Sequence, residues 1–158
     1  MVKAGLERID ATLGGAPEGL DALIVAEKIK AAGGAALMVA RDFQRSGNFI
    51  QAFNFYAKDI EVLEYPSWDC LPYDRLSPTA SISAQRMATL TRLATRDPND
   101  PTPLLVVATV AAAAQRVPPR HAVTVGGFDA KVGQDLDTGA LEAYVTANGY
   151  RRASTVHE

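Results

Sequence analysis

Residues 14–21 read Gly14-Gly15-Ala16-Pro17-Glu18-Gly19-Leu20-Asp21, which sets Gly14 and Gly19 at the spacing of a phosphate-binding loop just before a helical stretch. A working loop continues with a lysine that meets the β- and γ-phosphates and a serine or threonine that holds magnesium. Here those positions are Leu20, which has no charge, and Asp21, which repels phosphate. Glu18 adds a second negative charge, and Pro17 removes a backbone N–H that would cradle an anion. The expectation is a glycine-rich turn leading into a helix, with no cofactor bound at Gly14, Gly19, Leu20 and Asp21.

Cys70 could act as a nucleophile only with His121 or His157 as its base, and Asp69 beside it disfavours a thiolate. An inert thiol is expected. Two histidines and scattered carboxylates form no metal constellation, so neither a metal site nor a catalytic residue is assigned. Arg41 with Arg45, Arg116 with Arg120, and Arg151 with Arg152 are the basic pairs. They read as solvated surface or, through the planar guanidinium, as anchors for an acidic partner. Residues 65–93 (YPSWDCLPYDRLSPTASISAQRMATLTRL) combine Trp68, two tyrosines and three prolines. The aromatic rings can bury area while their polar tips find partners, and the prolines lower the entropy cost of fixing the loop.

The elements that position these residues follow from periodicity. Helices are expected over 18–32, ended by Gly33-Gly34, and from Asp42 through Phe49, Phe53 and Tyr56, with Ile50 on the same face. A third helix spans 82–95 with Met87, Leu90 and Ala94 inward. Strands are expected at 35–40, apolar enough to be buried on both faces, at 60–63, and at 104–110, the strongest strand in the sequence. The strand–helix alternation predicts an α/β fold with a parallel sheet flanked by helices. Composition changes at Val117-Pro118-Pro119, which divides the chain into residues 1–117 and 118–158. The second part reads as a piece of a small α+β domain: a strand at 121–126, a helix at 138–148 with Leu141, Tyr144 and Val145 inward, and a strand in YRRASTV. A final strand with nothing to cover it predicts a chain cut partway through that domain.

The 158 residues are 47% hydrophobic and 22% charged with a net charge of −2, so a core is affordable and the clustered basic excess of a nucleic-acid binder is missing. One cysteine excludes an internal disulfide and fits a reducing cytoplasm. The charged start MVKAGLERID is neither a signal peptide nor a membrane anchor.

Trp68-Asp69, Leu71-Pro72-Tyr73-Asp74 and Ser77-Pro78, followed by Ser83, Arg86 and Thr89-Leu90, resemble the amino-terminal signature of transcription-repair coupling factors. Val106 to Thr109, Gln115-Arg116-Val117-Pro118 and Gly149-Tyr150-Arg151 continue the resemblance in order. It implies a region similar to the repair protein UvrB: a degenerate helicase-like α/β domain at 1–117, then an incomplete UvrA-docking domain at 118–158. It further implies a parent that is an ATP-driven DNA translocase, displacing stalled RNA polymerase and recruiting repair proteins. Polymerase and DNA contacts would lie in regions of the parent absent here.

Two departures from UvrB matter. The phosphate loop lacks its Lys and Ser/Thr, and residues 68–78 leave no room for a DNA-inserting hairpin before the helix at 82. The resulting expectation is a non-catalytic recruitment module with UvrA as partner and Arg151 and Arg152 as contact residues. The alternatives are a domain that packs on other domains of the parent and restrains its motor, and a small nucleotide-binding enzyme or switch using residues 14–21.

Overall fold

The computed structural model describes residue 12 and residues 14–71, 75–125, 130, 132–150 and 153. The chain divides into two compact units, residues 1–117 and 118–158.

In the first unit, α1 (Leu20–Ala32) is followed by β1 (Ala35–Ala40), α2 (Phe43–Tyr56), β2 (Glu61–Tyr65), α3 (Ala80–Thr95), β3 (Leu104–Thr109) and the short α4 (Val110–Ala113). The three strands are parallel in the order β1-β3-β2, with Ala35 and Glu61 both level with Leu104. All six residues of β3 are buried because it lies between two neighbours and is covered on both faces, which is why LLVVAT is continuously apolar. Right-handed crossovers in this strand order put α2 and α3 on opposite faces. On one face, Ala22, Ala26 and Ile29 of α1 and Phe49 and Phe53 of α2 pack on Leu105 and Val107. On the other, Leu90 and Leu93 of α3 pack with Leu63, Tyr65, Val106, Ala108 and Ala112.

Asp42 starts α2 as expected, its Oδ1 accepting the Arg45 N–H at 2.8 Å. The inward stripe then runs Phe49, Phe53, Ala57, not Tyr56. Tyr56 turns outward, 42% exposed, and sits edge-on against Phe55 at 5.2 Å. In α3 the buried face is likewise rotated: Arg86 and Thr89 are buried while Met87 is exposed. Polar anchors decide this. Thr89 Oγ1 donates to Glu64 O at 2.8 Å and Arg92 forks onto Glu61 at 2.8–3.2 Å, tying α3 along β2.

Gly33 ends α1 with φ 67°, a left-handed conformation that glycine adopts without strain. A Cβ there would lie 3.1 Å from the Pro101 carbonyl oxygen. Beyond α3, the almost fully buried Arg96 donates to the carbonyls of Asp100 and Thr102 and so fastens the polar linker.

In the second unit, α5 (Arg120–Val125) occupies the segment expected as a strand. Pro119 sits where its missing N–H costs nothing, and its carbonyl accepts from Ala122 at 3.0 Å and Val123 at 3.4 Å. With no described strand beside it, the β-branched run gains nothing from extending. α6 (Thr138–Ala147) starts on Asp137, whose side chain accepts from Ala140 N, and Leu141, Tyr144 and Val145 are its less exposed residues. The strand expected in YRRASTV falls mostly outside the described residues. No described helix is long and apolar enough to cross a membrane.

Candidate functional site

The two carboxylates of the glycine-rich loop, Glu18 and Asp21, are engaged by side chains of α2. Gly19 takes φ 89° at the start of α1, and the Leu20 N–H donates to Pro17 O at 3.1 Å, so this amide is already satisfied. Arg45 of α2 donates through Nη2 to Asp21 Oδ2 at 2.5 Å and stands 4.0 Å from Glu18. Asn48 donates to Glu18 Oε1 at 2.8 Å. Two carboxylates therefore stand at the positive end of α1, where a phosphate would sit in a working loop, and α2 answers them.

The structure brings together three residues from separate motifs. Arg86, only 2% exposed, lays its guanidinium carbon 4.2 Å from the Tyr65 ring centroid and 4.1 Å from that of Trp68. Its Nη1 donates to Pro66 O at 2.6 Å and to Gln115 Oε1 at 3.0 Å. Gln115 Oε1 also accepts the Trp68 N–H at 3.2 Å. No carboxylate among the described residues pairs with Arg86, so the two aromatic faces and two oxygens are what stabilise the buried cation. Asp69 fixes the far side of the loop by accepting from Thr79 N at 3.2 Å, and this hydrogen bonding from Thr79 lowers its pKa.

Sequence reasoning had Trp68, Arg86 and Gln115 as members of motifs but not as one centre. The available signal was an arginine four residues before Leu90, on the face that helical periodicity turns inward. Cys70 is half-buried in the first unit, His121 belongs to the second, and His157, Arg151 and Arg152 lie outside the described residues. Among the described residues no group of three or more His, Cys, Asp or Glu side chains could hold a metal ion.

No protein-family model matches the chain. Over 157 residues it is 30% identical to the transcription-repair-coupling factor of Escherichia coli (strain K12), a match that takes in 99% of this chain and 13% of that protein. The chain is similar to the amino-terminal region of a transcription-repair-coupling factor. This bears out the resemblance carried by residues 65–93. It also gives the Arg86 centre a context, because Trp68, Arg86 and Gln115 are drawn from the motifs that carry the resemblance.

Proposed function

We propose that this chain is a non-catalytic module of a transcription-repair coupling factor that helps bring UvrA to RNA polymerase stalled at DNA lesions. The observation that carries the reading is the similarity along essentially the whole chain to a protein of that name. Residues 1–117 serve as a degenerate helicase-like scaffold and residues 118–158 as part of the UvrA-docking domain. The parent is an ATP-driven DNA translocase, and its motor, DNA and polymerase contacts belong to its other regions.

The loop supports the absence of nucleotide chemistry. Binding a nucleotide there would require breaking the Arg45–Asp21 pair and placing phosphate against Glu18 and Asp21. The test is UvrA binding by a longer chain carrying Arg151→Ala and Arg152→Ala. Loss of binding is expected, and unchanged affinity contradicts the assignment of these arginines.

A second reading, restraint of the parent's motor by packing against its other domains, is favoured by one feature. On the α3 face of the sheet, β1 is uncovered: Leu37 is 63% exposed and Val39, Val110 and Val117 are also open. Covered apolar strands are the rule in parallel sheets. Restraint predicts that the chain, added in trans to the parent lacking it, inhibits ATPase activity.

A further inference from the structure

A cleft of about 240 Å³ opens where β2 and β3 end. Tyr65 and Thr109, the last residues of those strands, form its floor with Phe43 from the first turn of α2, and Glu64, Trp68 and Asp69 complete the wall. The carboxyl ends of parallel strands are where α/β sheets take ligands. The phosphate loop is not part of this cleft, and the recruitment reading makes no use of it.

Its chemistry selects a cation. Glu64 and Asp69 have no ion pair among the described residues; the Glu64 carboxylate accepts from Gln85 at 3.2 Å, and that of Asp69 accepts from Thr79, whose N–H lies 3.2 and 3.4 Å from its two oxygens, which leaves lone pairs on both. Arg86 lies against the Tyr65 and Trp68 rings and does not line the cleft, so the local balance of two carboxylates and one guanidinium is still negative. The other cations near the start of α2 are committed: Arg41 to Asp42 at 2.9 Å and Arg45 to Asp21. Asp42 also offsets the positive end of the α2 dipole.

Aromatic faces beside carboxylates bind planar guanidinium better than a compact ammonium, since guanidinium both stacks and forks onto oxygens. Arg86 already shows that Tyr65 and Trp68 accept such a group. The cleft is smaller than the roughly 300–1,000 Å³ typical of small-molecule sites and suits one long side chain.

We propose that this cleft receives an arginine side chain presented by a partner protein, held between its aromatic wall and the carboxylates of Glu64 and Asp69. This is a contact of the first unit and stands independently of UvrA docking by the second.

Trp68 is the only tryptophan, so its emission reports on the cleft directly. N-acetyl-argininamide titrated into the full chain should give a saturable change in Trp68 fluorescence, with half-saturation on the order of millimolar. N-acetyl-citrullinamide, the neutral analogue of the same shape, and N-acetyl-lysinamide should each bind at least about tenfold more weakly. The Glu64→Gln, Asp69→Asn variant, which retains an acceptor for Thr79 N, should lose the response to a similar degree. No saturable change with the arginine derivative, or an equal response to the citrulline or lysine derivative, overturns the proposal. The analogue comparison uses the unaltered chain, so it decides the matter even where the double variant does not fold.

Discussion

Arg86 stacks on Trp68, its guanidinium carbon 4.1 Å from the ring centroid, and both groups hydrogen-bond the same oxygen of Gln115. The loop after β2, the helix α3 and the segment after α4 are thereby joined at one point. Lysine cannot reproduce this, because its ammonium is a point charge that neither stacks in a plane nor forks. Arg86→Lys should lower stability by about 2 kcal/mol and shift Trp68 emission to the red as the loop loosens. Urea unfolding followed by fluorescence measures both, and a variant with native stability and emission would show that the clamp does not hold the loop.

Arg45 and Asp21 should behave as a coupled pair. Each alanine variant is expected to cost about 1 kcal/mol, and the double variant less than their sum, by about 1 kcal/mol of coupling. Additive losses in a double-mutant cycle by urea denaturation would contradict the pairing. The same reasoning expects magnesium–ATP to leave the thermal midpoint unchanged, whereas a concentration-dependent rise would favour the nucleotide-switch reading.

Acid should destabilise the fold in a defined window. Hydrogen bonding from the Arg45 amide and from Arg41 holds Asp42 below 3.8, hydrogen bonding from Lys30 does so for Asp59, from Thr79 for Asp69 and from Thr102 for Asp100. A depressed folded value means that the unfolded chain takes up protons first, so this stabilisation is complete above 3.8 and is lost as pH falls through the folded values. Urea midpoints should therefore decline between pH 4 and pH 2. A midpoint that rises over that interval would reverse the sign.

Gly33→Ala should destabilise by about 1–2 kcal/mol, since alanine is strained at positive φ and its Cβ would crowd Pro101 O. Thermal unfolding compared with Gly47→Ala, where a Cβ meets nothing within 4 Å, separates this from a general glycine effect.

The sheet was legible because its strands are short apolar runs bounded by glycine or polar residues, and AALMVA and LLVVAT appear where expected. Tyr56 and Met87 were misplaced because helical periodicity fixes a stripe only to within one residue. What fixed the rotation here was tertiary: Thr89 bonding Glu64 and Arg92 bonding Glu61, contacts that join positions 25 and 31 residues apart. The 121–126 segment misled through its β-branched residues, whose preference depends on a neighbouring strand to pair with. The residue types at 14–21 showed two carboxylates beside a helix start, but their pairing with Arg45 and Asn48 required knowing that α1 and α2 share a face of the sheet. Arg86 was hidden for the same reason, since nothing local announces a buried cation whose partners are two rings and a glutamine.

The recruitment reading is tested most directly by calorimetric titration of UvrA into this chain and into a chain extended by roughly one small-domain length, about 50 residues. The account predicts saturable binding by the extended chain, abolished by Arg151→Ala with Arg152→Ala. Absence of binding by both chains would contradict recruitment and leave intramolecular restraint as the function to pursue.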